Sequence, residues 1–228
     1  MKRLFYLALI SILTLASPKL IMAQAQSRFL FSINLAPVFS HADYSVSLPL
    51  PDPATQLPTT EFSTVTNGLN YSIGLMGWYN FSPKWSVSTG VFANHAITST
   101  TKFIQNGQEG VINYRYNHPF SHTFKTPLQL NFRPSPKQLS PYFSLGTTFD
   151  FRGTSYVDIF GNGEYVPVKF GKAVVATPLL GAGISYQINN RLSLIAQPTI
   201  QYNLQDHSTY NYYHAYQLSL QTHLVWHL

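Results

Sequence analysis

The chain has 228 residues, of which 45% are hydrophobic, 15% aromatic and only 10% charged. An ordinary soluble domain carries about a quarter charged residues, and the length suits one sizeable domain. Without cysteine (Cys 0) it can hold neither a disulfide framework nor a thiolate metal site, and its formal charge of +6 is not gathered into the Lys/Arg clusters a nucleic-acid site needs.

Residues 1–25 read as a secretory signal peptide: Lys2-Arg3, then an apolar core from Leu4 to Leu15, then Ala23-Gln24-Ala25 as a cleavage site. Pro18 and Lys19 interrupt the apolar run well short of a membrane span. Losing Lys2, Arg3 and Lys19 takes the formal charge from +6 to +3. Residues 26–228 then read as strands throughout.

The first strand is expected over Arg28 to Phe39, with Phe29, Phe31, Ile33 and Leu35 on one face. A loop from His41 to Thr66 follows, its Pro49, Pro51, Pro53 and Pro58 unsuited to a regular ladder. The second and third strands, Asn67 to Tyr79 and Trp85 to Ala96, flank the turn Ser82-Pro83-Lys84. A second loop is expected from Ile97 to Ser121, with Asn106-Gly107 able to extend the hairpin beyond the main sheet. The fourth and fifth strands, His122 to Phe132 and Pro141 to Gly153, flank Arg133-Pro134-Ser135-Pro136-Lys137. A third loop carries Gly161-Asn162-Gly163 and ends near Lys172.

Thr177 to Leu204 is the most regular stretch. Leu180, Ala182, Ile184, Tyr186 and Ile188 alternate with small or polar residues, as do Leu192, Leu194, Ala196, Pro198, Ile200 and Tyr202. Opposed residues of an antiparallel pair share a face, so the turn must hold an odd number of residues. Asn189-Asn190-Arg191 places Ile188 opposite Leu192. A fourth loop, Gln205 to Tyr212, leads to a last strand with Leu218, Leu220, Leu224 and Trp226 on its apolar face.

Eight strands, long and short connections in alternation, one apolar and one polar face per strand and an export signal together predict an eight-stranded antiparallel up-and-down transmembrane β-barrel, apolar side outward. A soluble sandwich would also alternate. Its polar faces would show Lys and Glu, which these strands nearly lack. Aromatics near strand ends (Tyr71, Tyr79, Trp85, Phe132, Tyr186, Tyr202, Tyr216 and Trp226) suit interfacial girdles.

Tyr79-Asn80-Phe81-Ser82-Pro83-Lys84-Trp85-Ser86-Val87, Thr126-Pro127-Leu128, Pro141-Tyr142 and Gly181-Ala182-Gly183-Ile184-Ser185-Tyr186 resemble the small outer-membrane barrels of the OmpA/OmpX kind. They are most similar to the Bacteroidetes outer-membrane β-barrel domain that includes PorT-like proteins. The resemblance implies the outer membrane as location, lipid and lipopolysaccharide as surroundings, and a monomer with an extracellular or secretion partner. The final Trp226-His227-Leu228 resembles the C-terminal signal read by the barrel-assembly machinery, though it ends on Leu rather than Phe. A PorT-like role would make the protein an accessory of secretion or envelope biogenesis.

No catalytic, cofactor or metal site is expected. Asp206-His207-Ser208 holds an acid, a base and a hydroxyl, but adjacent residues on an extended chain point to opposite faces. His118 and His122 would stand roughly 13 Å apart on a strand, too far to share a metal. Ser40-His41 and Ser121-His122 lie near a rim, where lipid-modifying barrel enzymes place His with Ser. Lys125, Asp150 and Arg152 share the inward face of neighbouring strands, which predicts an internal ion-pair cluster. Inward Gly74, Gly90, Gly146, Gly181 and Gly183 should relieve crowding.

Overall fold

The computed structural model describes residues 28–48, 60–105, 108–115, 122–151, 155–158, 165–168, 174–203 and 211–227. The proposed signal peptide, Pro49 to Pro58, Asn106-Gly107, His118, Ser121, Arg152, Gly161 to Gly163, Asp206 to Ser208 and Leu228 lie outside them, as does the side chain of His122.

The strands are β1 (Phe29–Leu48), β2 (Thr60–Asn80), β3 (Trp85–Gln105), β4 (Gln108–Arg115), β5 (His122–Phe132), β6 (Leu139–Phe151), β7 (Ser155–Asp158), β8 (Tyr165–Val168), β9 (Val174–Asn189), β10 (Leu192–Tyr202) and β11 (Tyr212–His227). Eight of them close a ring in the order β1-β2-β3-β5-β6-β9-β10-β11, every pairing antiparallel, with β11 returning to β1. β4 extends β3 above β5, and β7 pairs only with β8. The ring is the expected up-and-down barrel. Its shortest strands have 11 residues, which at about 3.3 Å per residue and a tilt near 40° reach about 28 Å, the height of an apolar membrane band.

The alternation resolves as outward apolar and inward polar. Ile33, Leu35, Ile73, Leu75, Val91, Leu128, Leu145, Leu180, Ile184, Ile200 and Leu220 are exposed on the outside. Ser32, Asn34, Ser88, Asn131, Ser144, Gln197 and His223 are buried inside. In water such an exterior would drive aggregation; in lipid it is the stable arrangement, since closure leaves no unpaired ring edge. Aromatic contacts border the band at the short-turn end: Phe29 with Tyr79, Phe31 with Trp226, and Trp85 with Phe132 at 4.5 Å between ring centroids.

Three expectations change. The loop placed at His41 to Thr66 is largely strand, since β1 and β2 remain paired from Ser40↔Gly68 out to Leu48↔Thr60. Likewise β3 runs on to Gln105 and pairs with β4, so the loop placed from Ile97 is in good part strand, the hairpin extension that Asn106-Gly107 suggested. In its pairing with β2 the register shifts so that Leu69 faces Thr98 and Asn70 faces Ala96, leaving Ile97 as a bulge. A bulge reverses the phase of alternation, which is why the pattern breaks at Ile97. Finally, the β9–β10 turn keeps the predicted parity (Leu194↔Tyr186), but a bulge at its mouth sets Asn189, not Ile188, opposite Leu192. Asn189 Oδ1 accepts the Arg191 backbone N–H at 2.8 Å and so shapes the turn.

Candidate functional site

Two places can carry function: the lumen and the extension of β1 to β4 beyond the ring. In the lumen, bulky inward residues stand across from inward glycines: Met76 from Gly90, Phe92 from Gly74, and Tyr142 from Gly183. A Cβ on Gly74 would come within 2.5 Å of Phe92 Cδ1. A small ring can hold large side chains only where the facing position is empty.

At the short-turn end the lumen is apolar, a departure from the mostly polar interior expected. Trp78, Tyr142, Ile195 and Val225 pack together with Met76, Phe92 and the partly buried Leu30. Trp78 Nε1 donates to Ser32 Oγ at 2.8 Å, and its ring meets His223 edge-on at 5.4 Å. Here lies a cavity of about 50 Å³, lined in part by Leu30, Trp78, Tyr142 and Arg133. Towards the far end is one of about 30 Å³, lined by Asn34, Ser72, Asn94, Lys125, Thr148 and Gln201 among others. Such volumes hold a few waters at most.

Between the two stands a septum of side chains that line neither cavity: Ser32, Met76, Ser88, Gln129, Asn131, Ser144, Gln197 and His223, all buried. Asn34 Nδ2 donates to the His223 ring at 3.2 Å, and Asn131 Nδ2 donates to Ser88 Oγ at 2.9 Å. Ser144 Oγ donates to Gln197 Oε1 at 3.2 Å, while Gln197 Nε2 reaches Gln221 Oε1 at 3.4 Å. Three of these four bonds join neighbouring ring strands and the fourth, Ser144 to Gln197, steps over β9, so the septum is held along the wall by linked polar side chains.

The predicted ion pair forms. Lys125 Nζ lies 3.0 Å from Asp150 Oδ1, and Lys125 also donates to Gln217 Oε1 at 2.7 Å. The third residue of the predicted cluster, Arg152, lies outside the described residues. Ser40 and His41 separate. Ser40 Oγ donates to Gly68 O at 3.4 Å, whereas His41, on the other face, pairs its Nδ1 with Asn67 Oδ1 at 2.7 Å and stacks on Tyr216. That geometry turns the Ser40 hydroxyl away from the His41 imidazole. Among the described residues no three or more His, Asp or Glu side chains converge where a metal ion could be held.

Beyond the ring, β3 continues from its last partner on β5 (His95) to Gln105, paired with β2 on one side and β4 on the other, and β1 continues with β2 past its last partner on β11 (Ser45) to Leu48. Polar pairs knit this wall. Thr66 and Thr101 share a hydrogen bond of 3.0 Å, Thr100 donates to Asn113 Oδ1 at 2.9 Å, and Tyr212 donates to Asp43. Val111, Ile112 and Ile104 are exposed on it. No signal in the sequence separated these apolar residues from the lipid-facing set.

No protein-family model matches the chain, and no curated protein is similar to it. Among solved structures, Neisserial surface protein A (NspA) is similar over 89% of this chain and 98% of its own, at 11% identity and a TM-score of 0.49. The outer membrane protein OprG from Pseudomonas aeruginosa is similar over 88% and 95%, at 14% identity and a TM-score of 0.40. Ail, the attachment invasion locus protein of Yersinia pestis, is similar over 87% and 99%, at 12% and 0.39. At that identity and overlap the likeness assigns neither family nor function, and the fold rests on the register and burial given above.

Proposed function

We propose that the protein is a non-enzymatic barrel of the outer membrane whose β1–β4 extension makes contact with a partner, surface polysaccharide or host. The extension carries the reading. The β3–β4 pairing from Thr98↔Arg115 to Gln105↔Gln108, about 26 Å of strand, is more than ring closure needs, and it presents Val111 and Ile112 away from the lipid band. The septum speaks against passage through the lumen. Loop surfaces held on a rigid scaffold are where binding usually resides.

The test is to trim the wall. Removing Lys102 to Val111 and rejoining Thr101 to Ile112, which already pair, through a two-residue turn leaves the ring intact. Cells carrying the full and trimmed chains are then compared for adherence to immobilised polysaccharide and for secretion of exported proteins. Loss of adherence with unchanged secretion supports the reading. Unchanged adherence with failed secretion replaces it with a secretion accessory. Planar-bilayer recordings of the full chain should show no steps above leak; stable conductance would remove the closed-lumen part of the reading.

A further inference from the structure

The two ends of the barrel differ sharply in charge. Arg28, Lys84, Arg133, Lys137 and Arg191 all lie at the short-turn end, whereas no acidic residue among the described residues does. Asp43, Glu61, Glu109 and Asp150 sit in the far halves of strands, and Asp158 ends β7, which lies in sequence between the far ends of β6 and β9. The one ion pair among the described residues, Lys125–Asp150, is also towards the far end.

The five cations are spread around the rim rather than clustered. They occupy the start of β1, the β2–β3 turn, both ends of the β5–β6 turn and the β9–β10 turn. Backbone bonds hold the rim: Asn80 N–H to Arg28 O at 2.8 Å, Arg133 N–H to Lys84 O at 2.8 Å, and His227 N–H to Arg191 O at 2.9 Å. Two rim tryptophans stand beside two of these cations. Trp85 follows Lys84, and Trp226 joins Arg191, Leu192, Asn189 and Asn190 in lining a shallow notch on the rim. Leu192 and Trp226 are cross-strand partners at the border of the lipid band.

We propose that this rim binds the phosphates of anionic phospholipid, with the Arg191–Trp226 notch as one seat. A guanidinium presents a donor fork suited to phosphate oxygens, amide side chains can serve the rest of a headgroup, and Leu192 with Trp226 offers apolar contact to the first acyl carbons. The inference rests on the membrane-barrel reading.

It is tested on the full chain reconstituted in phosphatidylcholine vesicles with increasing phosphatidylglycerol, one lipid brominated at a time, reading the quenching of rim tryptophan fluorescence. Insertion is first checked by strand circular dichroism and heat-modifiable gel migration. Phosphatidylglycerol should be preferred at the rim about fivefold, roughly the contribution of one cation at an anionic surface. Arg191→Gln with Lys84→Gln should bring the two lipids to parity, and Lys102→Gln, on the extension, should leave the preference unchanged. Equal quenching by both lipids with the folded wild type overturns the proposal, keeps the barrel, and leaves the rim charge to an acidic macromolecule. Preference surviving in the double variant also overturns it. Failure of the chain to insert at all overturns the membrane reading itself.

Discussion

Lys125 Nζ meets Gln217 Oε1 at 2.7 Å although β5 and β11 stand on opposite sides of the eight-membered ring. One side chain thus spans the lumen while also pairing with Asp150 on its neighbour. Both charged side chains are largely buried, with 13% and 14% exposure. Removing one partner strands the other charge in a poorly solvated place, so Lys125→Ala should destabilise the barrel by about 3 kcal/mol. Lys125→Met combined with Asp150→Leu should recover most of that. Urea unfolding in vesicles reads both, and equal losses in single and double variants would show that the pair contributes little.

Leu145 and Val111 are almost equally exposed, at 60% and 58%, but only Leu145 lies in the lipid band. Leu145→Arg should cost about 2–4 kcal/mol in a bilayer, whereas Val111→Arg should be near neutral. A similar cost at both positions would place the extension in the membrane as well.

Gly146 and Gly77 make a second matched pair. A Cβ on Gly146 would run into the Leu128 carbonyl oxygen and stand 2.8 Å from Gln129 Cα, while one on Gly77 meets nothing within 4 Å. Backbone cannot step aside as a flexible side chain can. Gly146→Ala should therefore cost about 2 kcal/mol or prevent assembly, and Gly77→Ala should be neutral or stabilise by a few tenths of a kcal/mol. Comparable behaviour of the two in thermal unfolding would mean that β5 and β6 lie further apart than described.

Because the chain has no cysteine, introduced thiols report topology without background. A membrane-impermeant maleimide should label Val111→Cys on intact cells and Lys84→Cys only after the outer membrane is opened. The reverse pattern would invert the barrel.

Much of this architecture was legible because lipid on one side and a packed lumen on the other impose a strict two-residue period. Each ring strand's apolar face could be read from residues such as Ile33, Leu75 and Leu194. The β1–β2 part of the extension was not, because Asp43 and Thr66 belong to a wall without that lipid/lumen contrast, whereas Asn106-Gly107 had pointed to a β3–β4 hairpin beyond the main sheet. The Ile97 bulge hid the continuation of β3 by reversing its phase. Trp78, Phe92 and Tyr142 break the polar pattern of the inward faces; the glycines facing Phe92 and Tyr142 were the available sign, visible only once strand pairing is known.

The seam between β1 and β11 has a kinetic consequence. Every other strand pairing of the ring joins consecutive members of the eight, but closure joins residues as distant as Asn34 and His223. Hairpins can zip early; the cylinder cannot exist until the last strand has been made and delivered. Assembly should therefore be slow and all-or-none at its final step. A chain truncated before Tyr212 should yield no smaller barrel, only a sheet with two open edges that the hydrocarbon will not admit.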